Sequence, residues 1–342
     1  MGAHATRFAT AVACGAASAA LLAGCAGAAG PTIDAPVTPS ATEAPSAEAT
    51  ATPLDPAGRI AFGRWSATED RGAPPVMWTV ATDGSDPRPV GEQRGWYMEW
   101  SPDHATLIFD LLDADGNEQI ATIAPDGTGY TALTSGTGFH GDPAYSPDGS
   151  TIVFDYSDVP ESDPAWTQAL WVMDADGSHP RVLLDDEASD FDWEPEYSPD
   201  GTRIVFMREH PDGARSAVFT IAADGTGLER LTPFGDYLEH PRWSPDGATV
   251  IYNVENKAGG GIADPVNGIW TVPADGGEPA QLLSSADGLH GFKPVYSADG
   301  AQILFGCSDT DALNEDVCVM NADGTGIRRI LETPEFENHA VW

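Results

Sequence analysis

Tyr145-Ser-Pro-Asp-Gly149, followed by the apolar run Thr151-Ile-Val-Phe154, decides the fold of this 342-residue chain, because the phrase recurs along it. Related copies start at Trp100, Tyr197, Trp243 and Tyr296, roughly 45 to 53 residues apart, and a period of that length is typical of propellers and solenoids. A single unit of this size cannot bury its own apolar face, so the copies must pack against one another.

Each copy carries two turn signals. In Ser-Pro-Asp-Gly, proline presets φ, aspartate bonds its own backbone and glycine supplies the left-handed conformation that reverses the chain. An Asp-Gly pair after a second apolar run predicts another hairpin. This second turn occurs six times, ending at Gly84, Gly127, Gly177, Gly225, Gly276 and Gly324. The sequence therefore predicts an all-β protein, a six-bladed β-propeller of four-stranded blades.

The two ends of the repeat region complement each other. Arg59-Ile-Ala-Phe62 reads as a second strand with no inner strand before it, and His339-Ala-Val-Trp342 reads as an inner strand with no turn after it. We predict that the C-terminal strand pairs with the N-terminal blade. This pairing would close the ring and remove an exposed sheet edge.

The repeats resemble the TolB-like propeller family, which is marked by W/Y-S-P-D-G, an apolar strand and a D-A-D-G turn such as Asp174-Ala-Asp-Gly177. The resemblance covers about residues 57–342 and implies the six-bladed fold. Two copies depart from the pattern, since His104 replaces the glycine of the first turn and Ala298 replaces the proline of the last.

The first 24 residues are predicted to be a signal peptide, because Arg7 precedes an apolar, alanine-rich stretch. They end in Leu22-Ala-Gly-Cys25, which resembles the box at which bacterial lipoproteins are cleaved and lipidated. That resemblance implies a membrane lipoprotein, with palmitate among the acyl groups that Cys25 carries. An ordinary secretory signal is the alternative.

Residues 25–56 are rich in Ala, Pro, Thr, Ser and Glu without an apolar period, so we expect a disordered tether between the lipid and a propeller at 57–342. The chain has 53 acidic and 16 basic residues, a net charge of −37. This charge excludes nucleic acid as a partner. We expect a monomer on the outer side of the membrane whose acidity serves solubility; a preference for basic partners, cations or high salt is the alternative.

Four cysteines divide by position. Cys14 lies in the signal segment and Cys25 is the lipid acceptor, which leaves Cys307 and Cys318 in neighbouring predicted strands of the last full blade. Because an exported compartment permits disulfides, we predict that these two are bonded; two buried thiols are the alternative.

A candidate site emerges when the inner strands are aligned on their terminal aromatic residue. Three positions earlier, each blade carries a polar or ionisable side chain, and inner strands surround the central channel of a propeller. We expect these side chains to form a ligand-binding ring near one channel mouth, with His140 and His290 in loops nearby and Asp236 and Glu239 beside the ring. The ring comprises Tyr97, Asp142, Glu194, His240, Lys293 and His339.

The sequence contains no Gly-x-Ser-x-Gly, His-Glu-x-x-His or phosphate-loop motif, so no catalytic residue or cofactor is predicted. The favoured function is a module that binds an envelope protein, peptide or glycan. Trp96, Trp166 and Trp193 are expected to be exposed in loops and are candidates for stacking a sugar. One alternative is a metal-dependent polysaccharide lyase or hydrolase that uses His240, His339 and Glu194; another is an accessory subunit of a separate enzyme. The alternative interpretation of the ring is that channel walls are wet and its polar residues merely solvate the channel.

Overall fold

The computed structural model describes residues 58–69, 71–159, 166–184, 191–235, 237–256, 262–311 and 314–342. The predicted signal segment 1–24, the lipid acceptor Cys25 and the tether 25–56 lie outside the described residues. No helix within the described ranges is long and apolar enough to cross a membrane.

The described chain is built from short strands, with one 3-10 turn at Ser285–Asp287. In chain order the strands are β1 Arg59–Trp65, β2 Val76–Ala81, β3 Arg88–Arg94, β4 Trp96–Trp100, β5 Leu107–Leu112, β6 Glu118–Ile123, β7 Thr131–Ala132, β8 Phe139–Tyr145, β9 Thr151–Ser157, β10 Ala169–Asp174, β11 Arg181–Leu184, β12 Asp192–Tyr197, β13 Arg203–Glu209, β14 Ser216–Ala222, β15 Glu229–Arg230, β16 Tyr237–Trp243, β17 Thr249–Glu255, β18 Gly268–Pro273, β19 Ala280–Ser284, β20 Leu289–Tyr296, β21 Gln302–Asp309, β22 Asp316–Asn321, β23 Arg328–Leu331 and β24 Phe336–Val341.

These strands form six four-stranded antiparallel sheets. Five sheets are continuous in sequence, from β4–β7 to β20–β23, and the sixth has the order β24-β1-β2-β3. The inner strands β24, β4, β8, β12, β16 and β20 each contact the next around the ring. The predicted six-bladed propeller and its closure by the C-terminal strand are both confirmed.

Apolar side chains of the second strand of each blade form the core. The phenylalanine of the Ile-Val-Phe pattern is at most 1% exposed in five blades: Phe62, Phe109, Phe154, Phe206 and Phe305. The aromatic residues that end the inner strands pack between blades. Trp243 lies against Val205 and Val218 of the preceding blade, and its indole Nε1 donates to the Glu196 carbonyl at 3.3 Å.

The last sheet in the chain contains a disulfide between Cys307 of β21 and Cys318 of β22, with 5.8 Å between the two Cα atoms. The register pairs Phe305 with Cys318 and Cys307 with Asp316, so the cysteines lie on adjacent strands of one hairpin. Both cysteines are 0% exposed, which places the bond within the core of this blade.

Candidate functional site

Each inner strand contains a bulge at the position of the predicted ring residue. In β16, Glu239 pairs with Asn253 and Arg242 with Ile251, so His240 and Pro241 together oppose one residue of β17. The other five inner strands break register at the equivalent place. A bulge bends a strand and re-aims its side chains, and here it does so at the same level in all six blades.

The ring residues also share a rare backbone conformation. All six are non-glycine residues with φ between 42° and 55°: Tyr97, Asp142, Glu194, His240, Lys293 and His339. This left-handed region costs an ordinary residue about 1–2 kcal/mol, so the fold holds each side chain in place against that cost. Four of the six precede proline, which lacks the N–H that a regular ladder needs. X-Pro pairs inside the inner strands are a sequence signal from which these bulges could have been predicted.

Glu194 holds His240 in two ways. Its Oε1 lies 2.9 Å from His240 Nδ1, and its Oε2 accepts a 2.6 Å hydrogen bond from the His240 backbone N–H. Both residues are buried, at 8% and 4% exposure. The carboxylate therefore fixes the bulged backbone and the imidazole orientation of the next blade together.

Lys293, His339 and Tyr97 form a second group. Lys293 Nζ is hydrogen-bonded to His339 Nε2 and lies 4.7 Å from the centroid of the Tyr97 ring. The imidazole of His339 meets the same phenol ring edge-on, with 4.9 Å between centroids. Burial lowers the pKa of Lys293 to about 8, although Glu194, Glu239, Asp142 and Glu315 oppose that shift.

Side chains also cross the channel. β4 and β16 lie on opposite sides of the ring, yet the rings of Tyr97 and His240 are only 6.0 Å apart between centroids. One level further along the same strands, Arg242 Nη2 lies 3.6 Å from Glu99 Oε1. Burial raises the pKa of the neighbouring Glu196 to about 8 despite the charge of Arg242. Side chains from opposite strands thus approach each other across the channel at both levels, as aromatic rings at the first and as an ion pair at the second.

Buried carboxyl groups outside the ring interact electrostatically with ring residues. Asp110 and Asp155 follow the Ile-Val-Phe pattern in β5 and β9, and both are 0% exposed. Burial raises the pKa of Asp110 to about 6, and burial with nearby carboxylates raises the pKa values of Asp142 and Asp155 well above the usual range. Oδ1 of Asp142 is buried without a hydrogen-bond partner among the described residues. The sequence analysis did not single out Asp110 and Asp155.

Asp110 and Glu118 interact as a carboxyl pair. Burial and the charge of Asp110 raise the pKa of Glu118 well above its usual range. Both carboxyl oxygens of Asp110 are buried without a hydrogen-bond partner among the described residues.

The predicted neighbours of the ring do not all reach it. His140 and His290 lie within β8 and β20 rather than in loops, and their imidazoles bond to the Glu118 carbonyl at 3.2 Å and to Ser285 Oγ at 2.9 Å. Glu239 lies on the ring-bearing strand β16, and Asp236 is outside the described residues. His140 thus bonds to β6 of the preceding blade, and His290 bonds to the 3-10 turn that precedes β20.

The expectation of exposed tryptophans is wrong for two residues. Trp166 and Trp193 are 9% and 4% exposed, because they pack in one apolar cluster with Met207 and Tyr237. Trp96 is half-buried at the start of β4. Within the described part of the chain, no group of three or more His, Cys, Asp or Glu side chains is placed to hold a metal ion.

One known protein family matches the C-terminal part of the chain. Residues 165–342 match the family described as TolB beta propeller domain. The protein belongs to this family. A relative, the uncharacterized protein Atu1656 of Agrobacterium fabrum, is 29% identical over 187 residues, which cover 52% of this chain and 61% of that protein. The matched region therefore spans about three fifths of the relative's length.

Two solved structures share the TolB-like fold. TolB from Acinetobacter baumannii superposes with a TM-score of 0.68 at 19% identity, covering 85% of this chain and 68% of that chain. An oligogalacturonate lyase in complex with manganese gives a TM-score of 0.52 at 19% identity, covering 75% and 70%. At these identities the likeness shows the fold alone.

Proposed function

We propose that the protein is a lipid-anchored binding module outside the cytoplasm, and that its channel ring engages an envelope protein, peptide or glycan. The observation that carries the proposal is the ring itself. Six polar or ionisable side chains are held in a left-handed conformation at one level of the channel. Such local strain persists only where surrounding structure enforces it, and it clusters at ligand sites.

Binding is better supported than catalysis. The ring residues include no serine, threonine or cysteine that could serve as a nucleophile beside a base. The metal-dependent lyase alternative needs ligands converging on one point, and the described residues provide no such group. A propeller fold shared with a lyase does not transfer activity, because function resides in sites rather than in folds.

The test compares ring variants in the full-length protein. His240→Asn and His339→Asn remove an imidazole, while asparagine tolerates the left-handed backbone better than most residues. His179→Asn is a matched control, because His179 has φ 54° and an 82% exposed side chain in a turn. Cross-linking in cells followed by affinity capture would measure which partners each variant retains.

We expect the ring variants to lose a partner that the wild type and the His179 variant both capture. Equal capture by all four proteins would refute the proposal. Cys25→Ser tests the anchor separately, since an unlipidated protein should move from the membrane fraction to the soluble fraction. A stoichiometric metal in the wild type that is lost in the His240 variant would instead revive the metal-enzyme alternative.

A further inference from the structure

A pocket lies at the ring, between β4, β16, β20 and β24, and its roughly 340 Å³ of non-atom space includes the solvent on its open side. Every polar side chain in its lining can donate a hydrogen bond, the histidines from a protonated ring nitrogen. The lining contains no Asp or Glu. These polar residues are Tyr97, His240, Arg242, Lys293 and His339. The pocket thus occupies the basic half of the ring, while Asp142 and Glu194 lie outside its lining.

One buried donor in this pocket lacks an acceptor. The Lys293 ammonium donates to His339 Nε2, which places the imidazole proton of His339 on Nδ1. Nδ1 is buried without a hydrogen-bond partner among the described residues. A buried N–H without an acceptor is unfavourable, so an acceptor oxygen against this edge of the ring would stabilise the arrangement.

The rest of the lining is apolar and small. Met98, Pro294, Val295, Ala340 and Val341 complete the wall beside the donors. A pocket that combines an apolar wall with a few convergent polar groups fixes a ligand's orientation through the polar groups. The complementary ligand has an anionic head and a short aliphatic body.

The surrounding carboxylates limit the charge of that head. Arg242 already lies 3.6 Å from Glu99, and His240 is paired with Glu194 at 2.9 Å. The charges of Glu194, Glu239, Asp142 and Glu315 act on Lys293 as well. A dianion such as phosphate would face this acidic field, whereas one negative charge is matched by the ammonium of Lys293.

We infer that the pocket binds a carboxylate carried by a small aliphatic group, with Lys293 and His339 as its donors. The inference rests on the proposed function, because it names the ligand chemistry of the same ring. Two sources share this chemistry, a peptide C-terminus that ends in an aliphatic residue and a free short-chain acid. Other recognition modules also capture peptide C-terminal carboxylates, there with backbone N–H donors.

The experiment is calorimetric titration of the full-length protein with three probes. N-acetylvaline represents a peptide C-terminus, isovalerate represents the free acid, and N-acetylvaline amide removes the charge at constant shape. We expect N-acetylvaline to bind at least about tenfold more tightly than the amide, the discrimination of one charge-assisted contact. Isovalerate binding as tightly as N-acetylvaline would identify the free acid as sufficient; weaker binding would identify the peptide terminus.

Two variants test which side chains donate hydrogen bonds to the bound carboxylate. Lys293→Asn and His339→Asn should each weaken N-acetylvaline binding about tenfold, while His179→Asn leaves it unchanged. Thermal unfolding of each variant checks that it is folded, and the two independent substitutions guard against a defect in either one. Equal binding of acid and amide, an unchanged affinity in both ring variants, or no binding at millimolar acid would overturn the inference.

The carboxylate-binding inference and the proposed function can fail independently of each other. If ring variants lose their cellular partner but no carboxylate binds, the ring is a binding site with another ligand chemistry. If carboxylates bind but partner capture never depends on the ring, the pocket is real and the proposed partner role is wrong.

Discussion

Closure of the ring depends on the last residues of the chain, and deleting residues 339–342 tests that dependence. The pairing of β24 with β1 runs from Trp65 opposite Phe336 to Ala61 opposite Val341. Trp342 is 9% exposed, and its indole Nε1 donates to the Val295 carbonyl of the neighbouring blade at 3.2 Å. The deletion removes this indole together with Ala340 and Val341.

The buried side chains that the deletion removes determine how much unfolding free energy is lost. Removing a buried tryptophan side chain costs about 3–5 kcal/mol, and the lost burial of Ala340 and Val341 adds about 1–2 kcal/mol. The total is comparable with the entire stability of a typical domain, about 5–15 kcal/mol. We therefore expect the shortened protein to be largely open or unfolded at 37 °C.

Urea unfolding followed by circular dichroism measures the loss, with Trp243→Ala as the matched control. Trp243 occupies the same slot inside the chain, is 5% exposed and makes the same interblade hydrogen bond at 3.3 Å. Trp342→Ala and Trp243→Ala should cost similar free energies, and the deletion should cost more than either. A shortened protein that unfolds at the same urea concentration as the full-length chain would refute the closure argument.

Three further outcomes are expected. Cys307→Ser should lower the unfolding free energy by about 3 kcal/mol, the chain-entropy value for a loop of this length, and a reductant should lower wild-type stability similarly but leave the variant unchanged. Asp110 contributes stability that is lost as pH rises from 3.8 to about 6, because the folded protein retains the Asp110 proton that the unfolded chain releases. Asp110→Asn should make this part of the profile of melting temperature against pH less steep, and an unaltered profile would contradict the assignment. Gly201→Ala should cost about 1 kcal/mol, since φ is 71° there while 3.6 Å to Pro147 leaves room for a Cβ, and Gly201→Asn should cost less in the same urea assay.

The sequence was sufficient for the architecture because the repeat is local. Each Ser-Pro-Asp-Gly and Asp-Gly turn specifies its own hairpin. Six copies of such a unit are expected to pack around one axis as a propeller. The ring position was found in the same way, by aligning the inner strands on Trp100, Tyr145 and their equivalents.

Contacts between blades were harder to foresee. Nothing local indicates that Glu194 accepts a hydrogen bond from the backbone of His240, 46 residues later, or that Asp110 and Asp155 interact electrostatically with ring residues. Trp166 and Trp193 were misplaced for the same reason, since residues from three strands and a loop bury them. Side-chain burial depends on distant segments that the repeat does not encode.

The pairing of β1 with β24 also has a consequence for biosynthesis. Arg64 bonds to Glu337, a residue 273 positions later, so the first blade lacks its innermost strand until β24 has been translated. At about 5–20 residues per second, that wait is on the order of 15–60 s. Throughout it, one edge of β1 has no neighbour to pair with, and prematurely terminated chains would keep that edge permanently available to proteases and to other nascent chains.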